Sequence, residues 1–260
     1  MQLEEVIRQL EALSPPSFAE SWDNSGLMCG RKKKEIEKIL LSVDATDEVV
    51  EEAVLSDTDL LLTHHPLIFP NVSSLTEDDI VGRRLFKLIQ ADVCCYAMHT
   101  NFDVMGMADE AADRLGLLDR TVLDITYEDA LSKEGVGRAG RLPQEMSLRE
   151  CAELVKEVFL VDSVRIYGDP DMRIRIAAIS PGSGKKRSSY ALKAGADVLI
   201  TGDIDHHEGI DSVAKGLGII DAGHYGIEKI FLSYMKQFIL KNMPEMTVVC
   251  ASQKEPFIVV

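Results

Sequence analysis

Long apolar runs are missing from this 260-residue chain. No stretch approaches the roughly 20 residues that a bilayer-spanning helix requires, so a helical membrane protein is not expected. Cysteine is scarce: Cys29, Cys94, Cys95, Cys151 and Cys250 are odd in number, include a vicinal pair and form no CxxC. That pattern argues against a disulfide framework or a zinc ribbon and fits free thiols in a reducing cytoplasm. Positive charge is in deficit, with 28 Lys and Arg against 43 Asp and Glu and a net charge of −15. Nucleic acid and anionic membrane are therefore repelled at long range, which leaves only a local basic cleft open. Aromatics make up 6% of the residues, with one tryptophan, a poor supply of stacking platforms for single strands. There is no internal repeat and no low-complexity linker. The opening MQLEEVIRQLEAL reads as an acidic amphipathic helix without the apolar centre of a signal peptide, and a cytoplasmic location is expected.

What is present is the composition of a folded globular protein, 46% hydrophobic and 27% charged. The length suits one large core or two modest ones, with two favoured. Residues 2–13 repeat apolar positions at helical spacing and stop at Ser14-Pro15-Pro16. The stretch SWDNSGLMCG reads as a polar turn. Strands are predicted at 36–43, 59–63 and 93–98, with a helix after Asp44-Ala45-Thr46, N-capped by Thr46 or Asp47, and another over 79–90. This alternation is that of an α/β sheet with crossover helices. Near residue 125 a second α/β unit begins. EGVGRAGRL (134–142) reads as a glycine-rich turn leading to a strand, and a capping box at Ser147 and Glu150 opens a helix over 147–159. Strands follow at 163–167, 174–179 and 197–203, with a helix at 188–194 and a long helix over 225–240 before a last strand in MTVVCAS. The expected organisation is a domain of residues 1–124 plus 222–260, with 125–221 inserted as a second α/β domain.

The six histidines fall in four clusters, His64-His65, His99, His206-His207 and His224, each just after an apolar strand-like run. In open α/β sheets, ligands bind beyond the carboxyl ends of the strands. A single histidine there is ordinarily a satisfied polar group, but carboxylates accompany most of these clusters: Asp103 after His99, Asp203 and Asp205 before His206, Glu228 four residues beyond His224. Residues i and i+4 of a helix share a face, so His224 and Glu228 aim at one place. Imidazole nitrogen with carboxylate oxygen suits Zn, Mn or Fe. On a regular strand His64 and His65 would face opposite ways; Pro66 bends the chain so that both rings serve one site, or each holds its own ion. Spacing and residue type together point to a metal-dependent hydrolase.

The series SWDNSGLMCG, LLLTHHPLIF, HTNFD, TGDIDHH and DAGHYGIE resembles, in order and spacing, the motifs of the NIF-three-like family, whose members carry the name GTP cyclohydrolase I type 2 homologue. The likeness runs from about Leu3 to Glu255. It implies a NIF-three-like fold of two interlinked α/β domains with helices packed on mixed sheets, two divalent metal ions in a cleft, and a homohexameric ring. Carried over by position, His64, His65, Asp103, His224 and Glu228 are the metal ligands: His65 and Asp103 for one ion, His64 and His224 for the other, Glu228 bridging both. The implied reaction is attack of a metal-bound hydroxide on C8 of the GTP purine, opening of the imidazole ring and loss of formate. His99, His206 and His207 are then candidates for general acid or base, or for orienting the ligands. Two departures stand out. The loop reads Pro181-Gly182-Ser183-Gly184 where the family pattern starts with two glycines, and the inserted domain of longer members is absent.

Rival readings are a metal-dependent nucleotide or single-stranded nucleic-acid binder, and a metal storage or delivery protein without turnover. The expected partners are other copies of the chain and a small molecule such as a nucleotide. SPGSGKK (180–186) misses the phosphate-loop pattern, because position 179 is Ile and Lys185 is followed by Lys186. What remains is a solvated turn, or a strand-to-helix turn able to take an anion with Lys185, Lys186 and Arg187 nearby. RKKKEIEK (31–38) reads as a solvated edge. Trp22, Asp23 and Asn24 either line the site mouth or serve core and turn.

Overall fold

The computed structural model describes residues 1–69 and 72–259. The strands, in chain order, are β1 (Gly26–Cys29), β2 (Lys38–Ser42), β3 (Leu60–Thr63), β4 (Cys94–Ala97), β5 (Leu118–Glu128) and β6 (Lys133–Ser147). They continue with β7 (Arg165–Tyr167), β8 (Arg173–Ser183), β9 (Val198–Gly202), β10 (Gly218–Asp221) and β11 (Thr247–Cys250). The helices are α1 (Leu3–Leu13), α2 (Asp47–Leu55), α3 (Ile80–Gln90), α4 (Thr100–Phe102) and α5 (Ala108–Arg114). After them come α6 (Leu148–Phe159), α7 (Ser188–Lys193), α8 (His206–Ala214), α9 (His224–Glu228) and α10 (Ile230–Asn242). Between α4 and α5, Asp103–Met107 winds in wider π-type turns, a local departure that recurs at functional sites.

The packing divides the chain into two compact units: Met1–Phe102 with Phe231–Lys254, and Asp103–Ile230 with Glu255–Val260. The sequence reading divides it at 124/125 and 221/222. In the fold, α5 packs on β6 and β8, and α9 on β8 and β9, so those helices join the second unit.

The first unit holds a five-stranded sheet in the order β1-β4-β3-β2-β11. All neighbours run parallel except β1, which pairs antiparallel with β4 at the edge. Every residue of β3 and β4 is buried, which explains why Leu60-Leu61-Leu62 reads as an unbroken oily run rather than an alternation. Helix α1 buries Leu3, Val6 and Leu10 at helical spacing. Thr46 caps α2 by accepting the Val49 N–H, and Asp79 caps α3 by accepting the Gly82 N–H. The register pairs Ser42 with Thr63 and Thr63 with Ala97. The carboxyl ends of β2, β3 and β4 therefore lie side by side, and the segments carrying Asp44, His64-His65 and His99 leave the sheet along one edge.

The second unit holds a six-stranded mixed sheet, β5-β6-β8-β9-β10-β7. Its centre, β8-β9-β10, is parallel, and the other pairs are antiparallel. Ser180 pairs with Thr201 and Thr201 with Asp221, so the last residues of β8, which include Gly182, lie beside the strand ends that Asp203 and His224 follow. Ser147 and Glu150 form the expected capping box on α6, which buries Leu148, Cys151, Ala152, Val155 and Phe159.

Five sequence readings change, the first being that residues 180–183 of SPGSGKK, read as a turn, are the end of β8. EGVGRAGRL is the middle of β6 and not a turn, its backbone paired on both sides with β5 and β8. SWDNSGLMCG contributes the edge strand β1, and α8 occupies a stretch read only as strand end and histidines. The predicted helix over 225–240 is two helices, α9 and α10. Among the described residues no helix is long and apolar enough to cross a membrane.

Candidate metal centre

In the first unit β3 stops at Thr63, so His64 and His65 escape strand alternation. Their rings stand 4.9 Å apart at 43°, and His99, two residues beyond β4, brings its ring to 5.4 Å from each. One ring nitrogen from each of the three lies within 4.8 Å of the others. His64 is fully buried, against Phe231 at 5.5 Å and Phe102 at 6.5 Å.

Each of the three rings is anchored through Nδ1. His64 Nδ1 meets the Met98 carbonyl at 2.7 Å, His65 Nδ1 meets Asp44 Oδ1 at 2.7 Å, and His99 Nδ1 meets Asp23 Oδ1 at 2.6 Å. Carbonyl and carboxylate oxygens only accept, so Nδ1 carries the proton and Nε2 is the lone-pair nitrogen in the neutral ring. That is the arrangement of metal-binding histidines, whose far nitrogen is fixed by an outer oxygen.

The anchors are themselves held. Gln253 accepts the Asp44 N–H at 3.0 Å and donates from Nε2 to Asp44 Oδ2 at 2.5 Å. The Asp23 side chain is inaccessible to solvent. Burial alone raises its pKa, but hydrogen bonds from His99, Ser25 and Thr100, and the charge of His99, outweigh it and hold the carboxyl well below the usual carboxylate range. Trp22 and Phe69, both substantially exposed, set their rings edge-on to His99 at 5.9 and 6.5 Å. They rim the cluster, and the Trp22-Asp23-Asn24 turn thus contributes both a rim residue and an anchor.

In the second unit α9 delivers the expected i,i+4 pair, with His224 Nε2 3.2 Å from Glu228 Oε2. His224 Nδ1 is bound to Asp203 Oδ2 at 2.8 Å. With that proton committed to Asp203, a lone-pair nitrogen confronts a carboxylate oxygen, and only a shared proton or a cation reconciles them. Asp103, the first residue of the π-type turns, places a carboxylate oxygen within 4.8 Å of one from Glu228, which is almost wholly buried. A half-buried carboxylate held this close to a buried one is stabilised by positive charge.

Gly182, at φ +71°, makes this packing possible: a Cβ there would lie 2.3 Å from Glu228 Oε1. Gly202 is equally constrained, since its Cβ would lie 2.6 Å from the His224 backbone nitrogen. The second glycine expected at the start of the loop is Pro181, and Gly182 alone meets the close approach.

His206 and His207 sit exposed on the first turn of α8, their rings 5.4 Å from each other. Among the described residues neither belongs to a group of three side chains able to hold a metal. The sequence reading passed over Asp44, taken only as the lead into α2. Its signal was position: it follows the end of β2, next to the strand that ends in the histidine pair.

The chain is similar to known proteins along almost its whole length. Residues 1–256 match the family described as Duf34/NIF3 (NGG1p interacting factor 3). A Clostridium perfringens protein named GTP cyclohydrolase 1 type 2 homolog is 36% identical over 261 residues, covering 99% of each chain. Among solved structures, a Bacillus cereus protein related to NIF3 superposes with a TM-score of 0.90 at 24% identity, covering 100% of this chain and 99% of that one. The Staphylococcus aureus protein SA1388 gives a TM-score of 0.89 at 28% identity, with the same coverage.

Proposed function

Because this chain belongs to the Duf34/NIF3 family, we propose that it is a metal-dependent hydrolase that opens a cyclic amidine or amide with water. In this reading His64, His65, Asp103, His224 and Glu228 would hold two divalent ions. The observation that supports it most is the set of anchored imidazoles: four rings keep the proton on Nδ1 and reserve Nε2. Nitrogen and carboxylate donors of this kind fit Zn, Mn or Fe.

When bound, such a pair of ions supplies Lewis acidity, lowering the pKa of water towards about 7 and polarising the carbon to be attacked. The chain's residues do the rest. His65 and His224 keep a fixed tautomer through Asp44 and Asp203. His99 holds or moves a proton at Nε2 while Asp23 steadies Nδ1, the geometry of a base with its orienting acid. Trp22 and Phe69 stand at the rim beside that ring. The relatives' names make GTP the first substrate to try, followed by other nucleotides and small cyclic amides.

The test compares wild type with Glu228→Gln for bound metal by mass spectrometry and for formate release from GTP and turnover of the panel. Loss of both metal and turnover is expected from the variant. A wild-type protein that binds two ions and turns over nothing in the panel is a storage or binding protein, and the hydrolase reading fails. The homohexameric ring belongs to the same proposal, and light scattering checks it as six times the 28.7 kDa chain.

A further inference from the structure

A cleft in the second unit is lined by none of the proposed metal ligands, and Asp203, which takes the His224 Nδ1–H, is part of its wall. Its volume is about 580 Å³, the size of a small-molecule site. Three cations line it from two distant places in the sequence: Arg165 from β7, and Lys185 and Lys186 from the turn after β8. In a chain of net charge −15, such a gathering runs against the general trend.

Three carboxylates also face the cleft, but the fold already employs them. Asp203 takes the His224 Nδ1–H, Asp205 caps α8 by accepting the His207 N–H at 2.9 Å, and Glu208 accepts the Lys186 N–H at 2.9 Å and the Ser188 hydroxyl at 2.8 Å. The ammonium groups of Lys185 and Lys186 make no ion pair among the described residues. Arg165 is steadied by the buried Asp221 at 2.5 Å. The same carboxylate accepts the N–H of Ile204 in the cleft wall and of Gly223, which precedes His224. One buried acid thus ties the cleft to the end of the strand that presents His224. Lys186 and Asp203 both hold left-handed backbone, at φ +66° and +51°, unusual for side-chain-bearing residues and concentrated where ligands are gripped. Arg187, which the sequence offered as a third loop cation, turns away to pair with Asp124.

We propose that this cleft is an oxyanion subsite that takes a phosphate-type group of a small-molecule substrate, with Lys185, Lys186 and Arg165 supplying charge and Ser183 a hydroxyl. A multiply charged, many-oxygened group answers three convergent cations better than a single carboxylate does. Its part in a reaction at His224 rests on the metal-centre reading; the binding itself does not.

The experiment is calorimetric titration of the whole chain as purified, using inorganic phosphate and, separately, inorganic pyrophosphate. Wild type is compared with Lys185→Ala/Lys186→Asn, with Lys185→Glu, and with Glu228→Gln; asparagine tolerates the positive φ at 186. Thermal melts confirm that each variant is folded. The expected result is one site per chain for at least one of the anions, weakened about tenfold or more in both lysine variants. Affinity also falls with added salt and is unchanged in Glu228→Gln. No saturable binding of either anion, or equal binding in the lysine variants, overturns the proposal. Binding lost only in Glu228→Gln overturns it too, since the anion then sits on the metal ligands. Failure of the metal reading would appear in the metal analysis and leave this titration untouched.

Discussion

The two units supply donors of different kinds. The first offers three imidazoles, two of them proposed ligands and the third, His99, the proposed proton carrier, each braced from behind by an oxygen of its own unit. The second offers two carboxylates and one imidazole, with the backbone of Gly182 pressed against the carboxylate of Glu228. A neutral donor set is comfortable without an ion. A buried carboxylate beside a half-buried one is less so, and gains most from a cation. The second unit is therefore expected to depend on metal for stability, and the first mainly to tune it.

The sharpest way to break that contrast is Glu228→Gln. The account expects bound metal to fall below two ions per chain and turnover to fall on the order of 10²–10³-fold, read by metal analysis and rate. Retention of both ions would erase the distinction. Next is Gly182→Ala, which forces a side chain into the left-handed region and against Glu228. A loss of about 2 kcal/mol is expected, seen as a fall in Tm of about 4–8 °C together with reduced metal content.

Asp44→Asn and Asp203→Asn test the bracing in each unit. An amide nitrogen facing Nδ1 favours the wrong imidazole tautomer, and metal affinity should drop about 10–100-fold, measured by competition with a chelator. A larger loss for Asp203→Asn would sharpen the comparison, because it strikes the unit with the greater need.

Asp23 makes a smaller effect visible through pH. Its folded pKa lies below the unfolded value of about 3.9. Its contribution is present above that value and is lost as pH falls through the folded pKa. Wild type should lose stability more steeply than Asp23→Asn as pH drops below about 4–5, followed by chemical denaturation across that range; parallel curves would contradict it. Least of all, His206→Ala and His207→Ala, at exposed positions, should leave metal content intact and change turnover by less than about twofold. A large loss would restore them to the chemistry.

Much of this was legible before the fold. Buried parallel strands announce themselves as apolar runs, and the histidines that end them stand out because such runs otherwise exclude polar rings. The His224–Glu228 spacing gave a shared helix face directly. Other parts were hidden for physical reasons. β1 is a four-residue edge strand, only partly buried, inside a polar stretch. β5 alternates weakly because most of it is exposed. Asp44 meets His65 only through the register of β2 against β3. Arg165 reaches its cleft because β7 pairs antiparallel with β10, a contact across more than 50 positions of sequence that no local pattern signals. Arg187 belongs to the cationic loop in sequence, yet pairs with Asp124 outside the cleft.

The proposal that His64, His65, Asp103, His224 and Glu228 are metal ligands is open to direct measurement. Crystals grown without added metal, measured for anomalous scattering on either side of the Mn, Fe and Zn edges, test it most directly. Two peaks per chain are expected, with His64, His65, Asp103, His224 and Glu228 as the protein ligands and Glu228 touching both. A single ion held by residues of one unit alone, or no anomalous peak in protein shown to be metal-loaded in solution, would contradict it.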